Sequence, residues 1–151
     1  MNTYQTKTHS KEETMALGST LAALLEPNDV ITLEGDLGVG KTAFTKGIAK
    51  GLNISRMVTS PTFTIVKQYQ GTLSLNHMDA YRLEHSEEDI GFDEYFTNGG
   101  VSVIEWAQFI EDYLPPDRLA VEISYVDEYT RSLVFKPIGN HFVNVIMELR
   151  K

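Results

Sequence analysis

A chain of 151 residues with 42% hydrophobic and 23% charged side chains has the make-up of a soluble globular protein, long enough to bury a core within one domain. Cysteine is absent, which excludes a disulfide framework and thiolate metal sites. Thirteen Lys and Arg against 21 Asp and Glu leave a net charge of −8, which argues against unaided binding of RNA or DNA, because such binders carry a basic stripe.

The first residues, 1–13, are polar, and no apolar run approaches the ~20 residues of a membrane span, so a cytoplasmic protein with no membrane attachment is expected. Residues 3–8 alternate weakly and predict a first strand. Ser10-Lys11-Glu12-Glu13 has capping-box spacing, and Leu17, Leu21 and Leu24 mark one face of a helix that ends before Pro27. Val30-Ile31-Thr32-Leu33-Glu34 is a short apolar run after Pro27-Asn28-Asp29, as a buried strand should be.

That strand runs into Gly35-Asp36-Leu37-Gly38-Val39-Gly40-Lys41-Thr42, which fits the phosphate-loop pattern G-x-x-x-x-G-K-[ST]. Phe44, Ile48 and Leu52 then recur every fourth residue and predict a helix over 41–52 with one buried face. Strand, loop and helix therefore stand in the order that a triphosphate site needs. Glycines let the backbone turn its N–H groups toward one centre, and the helix start adds a positive dipole end. In such a site Lys41 would reach the β- and γ-phosphates of a nucleoside triphosphate and the Thr42 hydroxyl would help hold Mg²⁺. The bland alternative is a glycine-rich turn with a chance lysine, and the flanking elements speak against it.

Beyond the loop helix, Pro61 favours an extended Ser60, and 62–69 is rich in β-branched and aromatic residues, a loop feeding a strand. Gly71-Thr72 predicts a turn and 73–81 a second strand, completing a hairpin on which His77, Asp79 and Tyr81 share one face. Ser86-Glu87-Glu88-Asp89 opens an acidic helical segment with Ile90, Phe92, Tyr95 and Phe96, ended by Gly99-Gly100. Val101 to Ile104 form a short buried strand carrying Glu105 and Trp106 at its C-terminal end, and 107–114 is a short helix stopped by Pro115-Pro116. Leu119, Val121, Ile123 and Tyr125 alternate, as do Leu133, Phe135 and Pro137, predicting two antiparallel strands joined around 127–130. Phe142, Val145, Ile146 and Leu149 suit a final helix. The expected fold is one α/β domain over 1–151, a P-loop NTPase-like domain with a mixed, partly parallel sheet flanked by helices.

Hydrolysis needs a placed metal and an oriented water as well as a phosphate loop. Glu105 stands at the C-terminal end of a buried strand, the edge where open α/β sheets bind ligands. There it would bind Mg²⁺, directly or through water, or polarise the attacking water; otherwise it is a surface glutamate closing a strand. Asp79 is a second candidate acid. His77 and Asp79 could instead begin a transition-metal site, but no third ligand is evident. Ser60 and Thr62 lie where a loop sensing the γ-phosphate would sit, or are plain turn hydroxyls. Trp106, the single tryptophan, is either core or a reporter of the site beside it. Arg131 joins the ATP-binding candidates Gly35 to Thr42 if the second hairpin folds back.

These pieces occur together in one family. The phosphate loop, Ser60-Pro61-Thr62-Phe63, His77-Met78-Asp79-Ala80-Tyr81-Arg82-Leu83 and Ile104-Glu105-Trp106 resemble the TsaE (YjeE) family of bacterial ATPases over residues 10–110, with Val39 where that family more often has alanine. The resemblance implies Thr42 and Glu105 as Mg²⁺ ligands, Lys41 as the phosphate lysine, Asp79 as a second acid required for hydrolysis, and a switch-like loop at Ser60 to Thr62. It also implies an ATPase that is weak alone and acts with TsaD and TsaB partners in making threonylcarbamoyladenosine (t6A) at adenosine 37 of tRNA. The tRNA would then be reached through the partners, which agrees with the acidic composition. A small-molecule kinase would share the loop, but Arg56, Arg82, Arg118, Arg131 and Arg150 are scattered rather than gathered in a lid. A nucleotide-dependent binding switch with little hydrolysis is the other rival. A GTPase is disfavoured by the lack of an Asn-Lys-x-Asp motif.

Overall fold

The structure is a computed structural model and describes residues 3–36, 38–59, 66–83 and 91–151. Among these, seven strands form one sheet: β1 (Tyr4–Thr8), β2 (Val30–Glu34), β3 (Val66–Tyr69), β4 (Leu75–Asp79), β5 (Val101–Glu105), β6 (Arg118–Tyr125) and β7 (Arg131–Ile138), in the order β1-β7-β6-β2-β5-β4-β3. The four central strands β6, β2, β5 and β4 are parallel, whereas β7 and β3 run antiparallel to their inner neighbours. Strands buried on both faces should read as continuous apolar runs, and β2 and β5 do. Strand β6, nearer the edge, alternates buried and part-buried positions.

Helices α1 (Lys11–Ala22), α2 (Lys41–Gly51) and α4 (Asn140–Leu149) cover one face, where Leu21, Phe44, Ile48, Phe142 and Ile146 pack on Ile31, Leu33, Val103 and Phe135. On the other face Val30, Met78 and Ile104 meet Phe92 and Phe96 of α3 (Phe92–Phe96) and Ile110. The mixed α/β fold read from the sequence is the fold observed. Ser10 caps α1 by accepting the Glu13 N–H at 3.0 Å, and the Glu13 carboxylate reaches back to the His9 N–H at 3.3 Å, one residue before the cap.

Helices α1 and α2 touch backbone to backbone. A Cβ on Gly47 would stand 2.0 Å from the Met15 carbonyl oxygen, and one on Gly18 would stand 2.4 Å from that of Phe44. No side chain fits between the two helices at these points, so α1 is fixed against the helix that follows the phosphate loop.

Two sequence expectations change. The second hairpin strand ends at Asp79 rather than continuing to Tyr81, which lies in a 3-10 turn (Tyr81–Leu83). The cause is local: the Asp79 carboxylate accepts the Tyr81 N–H at 3.0 Å, closing a side-chain turn that redirects the chain. Tyr81 therefore does not share a strand face with His77 and Asp79. The segment after Trp106 is a 3-10 helix (Ala107–Tyr113) broken at Ile110, where φ is −129°. The expectations for Ser60 to Ile65 and for Ser86 to Ile90 lie outside the described residues, as does Leu37.

At the opposite end of the sheet from the phosphate loop, His141 joins α4 to the start of β2. Its Nε2 lies 3.0 Å from both oxygens of buried Asp29, and its Nδ1 lies 3.1 Å from Glu26 Oε2. The hydrogen bond to Asp29 raises the His141 pKa above its ordinary value, although partial burial pulls the other way. Burial raises that of Asp29, against the pull of His141 and of the Glu26 N–H.

Two outcomes are expected of these contacts. Gly47→Ala should lower stability by about 1–3 kcal/mol in denaturant melts, because the added methyl meets backbone that cannot rotate away. A raised histidine pKa contributes stability that is full below the ordinary value of about 6.5 and is lost as pH climbs through the folded value. The melting-temperature gap between the native chain and His141→Gln should therefore be wide in mildly acidic buffer and close in alkaline buffer.

Candidate active site

The phosphate loop leaves β2 at Glu34 and enters α2 through Gly40, whose φ of +119° is a conformation that side chains with a Cβ rarely adopt. No side chain caps α2. Its first-turn N–H groups therefore point outward without intrahelical partners, which makes the helix start receptive to an anion.

A cavity of about 640 Å³ opens in front of this helix start. Gly38, Val39, Gly40, Lys41 and Thr42 line its floor, and Glu105 its inner end. Ser10, the cap of α1, with Lys11 and Thr14 of that helix forms one wall, and Glu128 and Tyr129 of the turn joining β6 to β7, with Arg131 at the start of β7, form the other. Arg131 fastens that turn to the loop: its Nε donates to the Val39 carbonyl at 2.9 Å and its Nη1 donates to the Asp127 carbonyl at 2.8 Å. The second hairpin does fold back onto the loop. A smaller hollow of about 360 Å³, lined by Gly35, Asp36, Trp106, Gln108 and Glu122 among others, lies beside the first, and Lys41 borders both.

Lys41 and Glu105 form the centre. The Lys41 Nζ lies 3.6 Å from Glu105 Oε1, and both residues are only 6% exposed. The other carboxylate oxygen, Oε2, lies 3.0 Å from Nε2 of fully buried His77. Burial alone would raise the Glu105 pKa, but the hydrogen bond and electrostatic pull from His77, with that of the Lys41 ammonium, outweigh it and hold the carboxyl below its ordinary range. Glu105 is thus an ionised, desolvated carboxylate at neutral pH. Asp79 stands directly beside it in register on β4, on the same face of the sheet, with one oxygen committed to the Tyr81 N–H.

Thr42 is exposed on the cavity floor. One carboxylate and one hydroxyl lining the same cavity are a donor set that fits Mg²⁺, which takes few protein ligands and completes its shell with phosphate and water oxygens. Among the described residues no three His, Asp or Glu side chains converge on a metal position, so a transition-metal site at His77 and Asp79 has no support.

Trp106 is half-buried and takes a left-handed backbone conformation, φ +61°, directly after Glu105. A non-glycine residue there carries strain of order 1–3 kcal/mol. The turn brings its ring within 5.1 Å of the Lys41 Nζ and into contact with Tyr81 and Phe109. Sequence reasoning placed Glu105 and Trp106 next to the loop. It anticipated Arg131 in the cavity walls but not Ser10, Lys11, Thr14, Glu128 or Tyr129, which come from distant segments that carry no local motif. It also missed His77 as the partner of Glu105, for which the only signal was the two-residue spacing between His77 and Asp79.

The family model described as "Threonylcarbamoyl adenosine biosynthesis protein TsaE" matches residues 8–133. A tRNA threonylcarbamoyladenosine biosynthesis protein TsaE from Bacillus subtilis is 49% identical over 146 residues, 96% of this chain and 92% of that protein. The protein of the same name from Treponema pallidum is 40% identical over 126 residues, 82% of this chain and 93% of the relative. Among solved structures, a crystal structure of Bacillus subtilis YdiB superposes with a TM-score of 0.87 at 44% identity, covering 98% of this chain and 94% of that one. The match takes in the loop, the acids of β4 and β5 and both cavity walls, and by sequence and fold together this chain belongs to the TsaE family.

Proposed function

We propose that this protein binds ATP with Mg²⁺ in the larger cavity and hydrolyses it, in support of the threonylcarbamoylation of tRNA adenosine 37 by a TsaD–TsaB complex. The observation that carries this reading is the meeting of Lys41, Thr42 and Glu105 around one cavity at an uncapped helix start. The backbone N–H groups of Gly38 to Thr42 hold the phosphates, and Lys41 leaves Glu105 for the β- and γ-phosphate oxygens. Thr42 and Glu105 would hold Mg²⁺, which would supply positive charge beside the phosphates. Glu105 and Asp79 supply two carboxylates for two tasks, keeping the cation in place and orienting the attacking water. Water adds to the γ-phosphorus, the β–γ bridging oxygen departs with ADP, and inorganic phosphate is released. Tyr129 and Arg131, which also line the cavity, are the residues we assign to the base and ribose. Ser60 and Thr62 would belong to a loop that responds to the γ-phosphate.

The role in tRNA modification rests on the names of the relatives and on the acidic composition. With a net charge of −8 the chain is unsuited to gripping tRNA by itself, so proteins of the complex must hold it. No helix among the described residues is long and apolar enough to cross a membrane.

The decisive experiment is calorimetry with ADP and Mg²⁺, joined to single-turnover phosphate release with TsaD and TsaB present. Lys41→Ala should weaken nucleotide binding on the order of 10- to 100-fold, since charge-assisted hydrogen bonds to phosphate are lost. Unchanged affinity would remove the assigned loop, and absence of phosphate release would leave only a binding switch. Nucleotide should also shift the emission of Trp106, because it draws away the ammonium now lying 5.1 Å from that ring. A flat titration in saturating Mg²⁺ would contradict the proposed movement of Lys41.

A further inference from the structure

The buried ring of His77 has no part in the hydrolysis as proposed, and its surroundings are unusual. It sits on β4 with 0% exposure, and its Nε2 contacts Glu105 Oε2 at 3.0 Å. Its other nitrogen, Nδ1, is buried with no hydrogen-bond partner among the described residues. An unpaired buried polar atom costs about 1–3 kcal/mol, a cost that a leucine or methionine at this position would avoid. Packing alone therefore favours an apolar residue here. What the imidazole adds is one N–H aimed at one carboxylate oxygen.

We propose that His77 is a positioning residue that divides the Glu105 carboxylate, fixing Oε2 so that Oε1 faces Lys41 and the cavity. The final torsion of a glutamate is broad and nearly free, so a carboxylate at a strand end needs an external contact to hold one orientation. Glu105 has two such contacts, Lys41 at 3.6 Å and His77 at 3.0 Å. Once Lys41 moves to the phosphates, His77 is the contact of these two that stays. Orientation in the working state then depends on a ring anchored in the sheet, with His77 opposite Val103 and Asp79 opposite Glu105 in the β4–β5 register. The inference rests on the ATPase reading and assigns His77 a part in it.

The test compares three substitutions. His77→Gln keeps an amide N–H at about the reach of Nε2, His77→Asn keeps the amide but is too short to meet Oε2, and His77→Leu removes the donor. Outer partners of metal-binding side chains are commonly worth about 10- to 100-fold, so His77→Leu and His77→Asn should lose that much turnover while metal-free ADP affinity stays unchanged. His77→Gln should recover most of the loss. Calorimetry gives a readout independent of turnover: the gain in ADP affinity conferred by Mg²⁺ should shrink in His77→Leu and His77→Asn and return in His77→Gln. If His77→Leu does not fold, the contrast between Gln and Asn decides the matter in its place. Native turnover in His77→Asn, or equal impairment in Gln and Asn, overturns the assignment. A native chain that neither binds ADP nor releases phosphate would overturn the ATPase reading itself, whereas native activity retained by the variants removes only the role of His77.

Discussion

The site depends on an ammonium and a carboxylate held together out of water. At 3.6 Å and an effective dielectric constant of about 20, the Lys41–Glu105 attraction is about 5 kcal/mol. Desolvating each ion costs several kcal/mol, so the pair is close to neutral as a stabilising element. Its energy comes from the elements that hold it in place. Strand β5 is buried along its whole length, and α2 contributes Phe44 and Ile48 to the larger core. The two charges are therefore kept close by packing on both faces of the sheet, and a competing anion can redraw the pairing at little net expense.

The parallel centre of the sheet determines which side chains gather there. Because β2, β5 and β4 run in the same direction, their C-terminal ends reach one edge, and the register sets Leu33 beside Glu105 and Glu105 beside Asp79. Alternation along β4 and β5 then points His77, Asp79 and Glu105 toward the face covered by α2. The acids need no motif linking them in sequence, since strand direction and pleat suffice.

This explains how far the sequence could be read. Continuous apolar runs identified β2 and β5, glycine spacing identified the loop, and strand-end placement singled out Glu105. Each of these is a local signal with a physical cause. The end of β4 at Asp79 was not legible, because an aspartate that turns the chain and one that continues a strand look alike until the backbone N–H it captures is known. The helix after Trp106 had the right position but the wrong kind, its entry being a left-handed tryptophan that no propensity favours. Arg131 was a candidate through the expected fold-back of the second hairpin, but the walls contributed by Ser10, Lys11 and Tyr129 were hidden for a different reason: tertiary folding alone brings segments about a hundred residues apart to the same cavity. Ser60 and Thr62 lie outside the described residues.

The glycine seam between α1 and α2 has a mechanical consequence. With main chain pressed on main chain there is no rotamer through which either helix could slip, so the α1 side of the cavity behaves as the fixed jaw of a vice. The opposing jaw is the β6–β7 turn, held by one guanidinium shared among the carbonyls of Val39, Asp127 and Thr130. Any breathing of the cleft must therefore break that guanidinium's contacts, at a turn whose tip presents Tyr125, Val126 and Tyr129 to solvent.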